Sequence, residues 1–164
     1  MSSYDCSGHL RVRFYNMKTF NNRGRREGAE LDSDSVKKVF STLDPHRDFR
    51  ELDSPTREEL LQDLERTAQQ DCSTTSALVI IVSSHGEEDR SGHVLVQCKD
   101  ESVRVSELLA MFTAERCPGL ANKPKLFIFE CCRGDAEQTV VVPGGKEKLP
   151  PVNKCKCPTV WSSS

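Results

Sequence analysis

Two short stretches hold side chains that can do nucleophilic chemistry. Lys125 to Gly134 reads Lys-Leu-Phe-Ile-Phe-Glu-Cys-Cys-Arg-Gly and carries the thiols of Cys131 and Cys132. Ala77 to Gly86 reads Ala-Leu-Val-Ile-Ile-Val-Ser-Ser-His-Gly and carries the imidazole of His85. A thiol attacks as its thiolate, and a neighbouring imidazole both lowers the thiol pKa and returns the proton to a leaving group. A cysteine and a histidine, each at the end of an apolar run, are what such a dyad requires.

The runs themselves must position the pair. Leu126 to Glu130 has no polar residue before Glu130, the pattern of a short strand covered on both faces. Pro124 precedes it and Gly134 follows the cysteines, so both thiols are expected in a loop at its carboxyl end. In open α/β sheets that end is where ligands bind. Ala77 to Val82 predicts a second such strand, with His85 just beyond it. Strand alternation sends Cys131 and Cys132 to opposite sides, against a disulfide between them.

The remaining elements follow from period and punctuation. Leu10 to Tyr15 alternates apolar and basic residues and predicts a half-buried strand. Asn16 to Gly28 reads as a basic loop containing Arg23, Arg25 and Arg26. Val36, Val39, Phe40 and Leu43 lie at helical spacing and predict one apolar face on a helix over 31–43, with Asp32 and Asp34 near its start. A loop is expected from Asp44 to Pro55. Thr56-Arg57-Glu58-Glu59 is a capping box opening a helix to about Ala68, with Leu60, Leu61 and Leu64 on its apolar side. A charged turn, a small hairpin over 92–105 and a short helix over 106–113 precede the cysteine strand. Strands alternating with helices predict an α/β fold with a mainly parallel sheet.

The totals narrow the class. A chain of 164 residues with 36% hydrophobic and 29% charged residues suits one globular domain. A net charge of −2 gives no hint of nucleic acid. No apolar run nears the roughly 20 residues that cross a bilayer, and the N-terminus has no signal-peptide pattern. Eight cysteines on an α/β pattern read as reduced thiols in the cytoplasm. Cys155-Lys156-Cys157 lacks a nearby histidine and reads as solvated tail thiols rather than a metal site. Arg133-Gly134-Asp135 spells an adhesion tripeptide by coincidence. Residues 1–8 read as a leader, 9–135 as the domain and 136–164 as a disordered linker or tail.

Together these residues resemble the caspase family, in particular its large subunit. The caspase signature is Gln-Ala-Cys-[Arg/Gln/Gly]-Gly with a histidine about 50 residues upstream. Here the five residues are Glu130-Cys131-Cys132-Arg133-Gly134, and Cys132 lies 47 residues after His85. Arg26-Glu27-Gly28 with Leu31-Asp32 is similar to the family's Arg-x-Gly-Thr-x-x-Asp element. Thr56 to Glu59 and Lys123 to Phe127 match further family segments, so the resemblance covers about residues 10–135. It implies a three-layer sandwich with helices on both faces of the sheet. It also implies a cysteine endopeptidase cleaving proteins or peptides after aspartate, in proteolysis linked to cell death. Cys132 would be the nucleophile and His85 the general base and acid, and the N–H groups of Gly86 and Cys132 the oxyanion hole. Arg26 would read the substrate aspartate. No cofactor or metal is implied, and neither nucleic acid nor membrane. The expected partner is a caspase small subunit or a partner caspase.

Three departures from the family carry expectations of their own. Glu130 replaces a glutamine that shapes the aspartate pocket. A carboxylate there would pair with Arg26 and repel an incoming aspartate, weakening or altering specificity. Two like charges ~4 Å apart cost about 4 kcal/mol at an effective dielectric near 20. Arg11 and Arg13 stand in a strand that is apolar in caspases, so that face is expected to be exposed or the sheet perturbed. The tail Leu149 to Ser164 shows no small-subunit content, which would leave a sheet edge open. An alternative reading is therefore a weak or inactive truncated homologue that regulates a caspase as a decoy.

Overall fold

The computed structural model describes residues 7–132, 139–142, 145–148 and 159–163, with side chains through Cys131. The leader up to Cys6, the Arg133-Gly134-Asp135 tripeptide and the Cys155/Cys157 pair lie outside the described residues. The elements run β1 (His9–Asn16), α1 (Ala29–Leu43), β2 (Asp48–Asp53), α2 (Arg57–Gln69) and β3 (Thr75–Glu88). They continue with β4 (Val94–Gln97), β5 (Ser102–Arg104), α3 (Val105–Ala110) and β6 (Lys125–Cys132), then short strands β7 (Thr139–Val142), β8 (Gly145–Lys148) and β9 (Thr159–Ser163).

The main sheet has the order β2-β1-β3-β6-β9. β1 is parallel to β2 and β3, and β3 is parallel to β6. β9 lies antiparallel on β6 and covers the edge that the sequence leaves open. The hairpin β4–β5 attaches to the last residues of β3, where Gly86 pairs with Val96. Gly8 closes the other end of the sheet by lying against the backbone of Thr74, where a Cβ would sit 2.5 Å from the carbonyl oxygen. Among the described residues no helix is long and apolar enough to cross a membrane.

The continuous apolar runs of β3 and β6 have a direct cause, since both faces of the sheet are covered. Leu78, Ile80, Val82, Phe127 and Phe129 pack toward α2 and α3, against Leu60, Leu64 and Leu108. Val12, Phe14, Val79 and Ile81 pack toward α1, against Phe40 and Val36. This is the three-layer α/β arrangement. Each fully buried Leu, Ile or Phe in it contributes about 1.5–3 kcal/mol of transfer free energy.

α2 begins as its capping box requires. The Thr56 side chain accepts from the Glu59 N–H, and the Glu59 carboxylate accepts from the Thr56 N–H at 2.8 Å. Thr56→Ala removes one of these bonds and is expected to cost about 1 kcal/mol, a fall of about 2–4 °C in thermal midpoint. An unchanged melting curve would show that the box adds nothing here.

α1 departs from the expected apolar face. Ala29, Ser33 and Phe40 are buried, whereas Val39 and Leu43 are 53% and 65% exposed. The helix seats the row through Ala29, Ser33, Val36 and Phe40, so the neighbouring positions of the stripe turn outward. β2 is also unanticipated. Its sequence, Asp-Phe-Arg-Glu-Leu-Asp, has no buried run because it pairs only with β1 and forms a sheet edge.

That edge strand explains Arg11 and Arg13, which are neither exposed nor disruptive. They are 8% and 2% exposed, and both reach Asp48 at the start of β2. Asp48 Oδ2 accepts from Arg11 Nε at 3.0 Å and from Arg13 Nη2 at 2.8 Å. Carbonyl and amide oxygens take other donors: Asp71 from Arg11, and Val12 and Gln70 from Arg13. Arg13 Nε is left without a partner. The hydrogen bond from Arg13, with its charge and that of Arg11, holds Asp48 below the usual carboxylate range despite partial burial. Beside them Tyr15 Oη donates to Asp63 at 2.8 Å, and burial together with that carboxylate pushes the phenol well above its ordinary pKa.

Candidate active site

The register of β3 and β6 sets the site. Ser83 lies opposite Glu130, Ser84 opposite Cys131 and His85 opposite Cys132. Strands paired this way lie about 4.8 Å apart. The imidazole-bearing and thiol-bearing positions expected to work together are therefore cross-strand neighbours at the carboxyl ends of parallel strands. They stand on strands rather than in loops. β3 runs on past His85 because its last residues pair with β4, and β6 extends through Cys132.

Period-2 alternation assigns faces. Position 131 falls on the α2/α3 side, where half-buried Cys131 packs against the larger apolar cluster. Ser83 and Glu130 fall on the α1 side, where the Ser83 hydroxyl lies between the Glu130 and Asp32 carboxylates. The His85 ring lies 5.0 Å from the ring of Phe20, tilted by 42°. Phe20 is buried and comes from the loop read as merely basic. Its one sequence signal is an aromatic residue in an otherwise polar loop.

Arg26 is brought to the same end of the sheet, but Glu130 is not its ion-pair partner. Its Nη1 donates to Asp32 Oδ2 at 2.6 Å, its Nη2 to Asn16 Oδ1 at 2.6 Å and its Nε to the Met17 carbonyl at 3.0 Å. Gly28, with φ of 78°, turns the chain between Arg26 and α1 so that Asp32 reaches back to the guanidinium. Glu130 Oε2 instead accepts from Ser83 Oγ at 3.0 Å, and the same hydroxyl is 3.4 Å from Asp32 Oδ2. Asn16 and Ser83 are fully buried. Sequence reasoning missed both, although each is a small polar residue at the carboxyl end of a strand, the end at which ligands bind.

Two other described thiols, Cys98 and Cys117, stand elsewhere. Burial, with the charge of Asp100 adding to it, pushes Cys98 up to about 12. Burial also raises Cys117, whose Sγ donates to the Ala68 carbonyl at 3.2 Å. Neither supplies a thiolate near neutrality. Among the described residues no group of three or more His, Cys, Asp and Glu side chains is placed to hold a metal ion.

A family model for the caspase domain matches residues 14–163. The chain belongs to the caspase family. It is 36% identical over 112 residues to Caspase-1 of Spodoptera frugiperda, covering 67% of this chain and 34% of that caspase. It is 32% identical over 114 residues to Caspase drICE of Drosophila melanogaster, covering 67% and 30%. Caspase-3 of Mus musculus is 29% identical over 109 residues, covering 66% and 37%. The matched segment therefore spans about a third of the length of these caspases.

Proposed function

We propose that this chain is the catalytic portion of a cysteine endopeptidase in which Cys132 and His85 form the dyad. The observation that carries the proposal is the pairing of positions 85 and 132 across two parallel strands, at the end of the sheet suited to ligands. The Cys132 thiolate adds to the scissile carbonyl, and the N–H groups of Gly86 and Cys132 stabilise the resulting oxyanion. His85 gives its proton to the departing amine, leaving a thioester. It then takes a proton from water as that water hydrolyses the thioester. Substrates are proteins or peptides, in cytoplasmic proteolysis linked to cell death, with a caspase small subunit or partner caspase completing the groove.

The engagement of all three Arg26 nitrogens inside the chain favours a second reading, in which the chain regulates a partner caspase and does not cleave. Labelling separates the two. The intact chain is exposed to paired peptidyl fluoromethyl ketones, one with aspartate and one with arginine before the reactive group. Addition of one probe per chain, abolished in Cys132→Ala, is the expected result. A natively folded chain that takes up neither probe would support the regulator.

A further inference from the structure

The His85 ring meets a loop that is far from it in the chain. Phe20 sets its ring 5.0 Å from the imidazole, tilted by 42°, within the roughly 4.5–7 Å over which aromatic rings attract one another. Phe20 is 8% exposed and belongs to the larger apolar cluster. Its backbone is pinned on both sides. The Met17 N–H donates at 2.9 Å to the carbonyl of Ser83, two residues before His85 on the same strand. The Asn21 N–H donates at 2.8 Å to the carbonyl of Lys99, in the turn between β4 and β5.

Between those anchors the loop hangs on one hydroxyl. Ser54 Oγ accepts from the Lys18 and Thr19 N–H groups, each at 3.1 Å, and donates to Asp53 Oδ1 at 2.6 Å. The Ser54 N–H donates to the carbonyl of Asn16, the last residue of β1, at 2.9 Å. Ser54 has φ of 49°, and among the described residues it is the one residue other than glycine with a positive φ. That region is disfavoured for a residue with a Cβ, and glycine would occupy it without the penalty. Serine is strained there, yet it supplies the oxygen that two loop N–H groups use. Such strain persists where the surroundings fix it, and it gathers at functional sites.

We propose that Phe20 is a positioning residue for His85, and that Ser54 fixes the loop from which Phe20 acts. This role rests on the endopeptidase reading above. The stacked ring restricts rotation of the imidazole, so that its nitrogens are aimed before a substrate arrives. Displacing a reacting group by about 1 Å can cost about 10²-fold in rate. Phe20 therefore acts through His85, and Ser54 acts through Phe20.

Two readouts test the contact and the chemistry separately. The first is the nuclear magnetic resonance signal of the His85 Cε1–H in the full chain, assigned among the four histidines by its loss in His85→Ala. The ring current of Phe20 displaces this signal. Phe20→Ala is expected to return it toward the position of an unstacked histidine, Ser54→Gly to do so in part, and Phe20→Tyr to leave it displaced. The second readout is peptide cleavage. Phe20→Ala should lower kcat by about 10- to 100-fold, and Ser54→Gly by a smaller factor. KM should change by less than about twofold in both, and Phe20→Tyr should restore most of the rate. A signal unmoved in Phe20→Ala and Ser54→Gly would overturn the proposal, as would a loss confined to KM or a kcat within about twofold of the unaltered chain in both variants. If Phe20→Ala does not fold, Ser54→Gly decides alone, because it keeps both rings and relieves the strained φ. A displaced signal in a chain that cleaves nothing supports the placement of the imidazole by Phe20 and overturns the endopeptidase reading.

Discussion

His85→Ala is expected to lower kcat for peptide cleavage by about 10²- to 10⁴-fold, the range for losing a positioned general acid–base. The size follows from two tasks that one imidazole performs. In the proposed dyad it would stabilise the Cys132 thiolate in the free enzyme and would protonate an amine that leaves very poorly as an anion. Position 85 suits both, because the strand register sets it beside position 132 and the Phe20 ring packs on the imidazole. The pH dependence gives a second readout. An unpaired cysteine has a pKa near 8.5, whereas a thiolate paired with imidazolium persists to lower pH. Probe labelling of the unaltered chain should therefore remain fast below neutrality. Labelling of His85→Ala should rise with pH through the ordinary thiol range. Thermal stability should change little, since the residue is only half-buried. Retention of more than a tenth of kcat, or identical pH–labelling curves, would remove His85 from the mechanism.

The meeting of positions 85 and 132 on neighbouring strands was legible in the sequence because the placement is carried by apolar runs. Less legible were relations between segments far apart in the chain. Nothing local to Arg26 distinguishes Asp32 from Glu130 as its partner. That choice depends on the turn at Gly28 and on which residues β3 sets opposite Glu130. Arg11 and Arg13 look impossible to bury until Asp48, on an edge strand without an apolar run, arrives beside them. α1 misleads for the converse reason. Its period shows which residues can share a face, but the sheet beneath accepts only the row ending at Phe40.

Asp48→Ala is expected to destabilise the fold by about 2–3 kcal/mol. Removing one partner from a buried ion pair costs about 3–5 kcal/mol, because the remaining charge is left uncompensated in a poor solvent. Here two guanidiniums depend on one carboxylate, and their side chains are 9% and 2% exposed. The Asp48 side chain is itself 52% exposed, so water can replace part of what is lost and the estimate is reduced accordingly. For a chain of this size the change is a drop of about 5–10 °C in thermal midpoint. The sign with pH follows from the lowered pKa of Asp48. The unfolded carboxylate titrates near 3.9, so the stabilisation is fully present above that value. It is lost as pH falls through the lower folded value. The gap between the two proteins should therefore be constant near neutrality and close on acidification. Adding Arg13→Met separates stranded charge from lost contacts. It removes the more deeply buried cation, whose Nε already lacks a partner. A flexible apolar side chain then fills its space, an exchange that is often neutral or stabilising for buried ion pairs. The double variant should regain part of the lost stability. If it is no more stable than Asp48→Ala alone, an uncompensated guanidinium is not what the single variant suffers from.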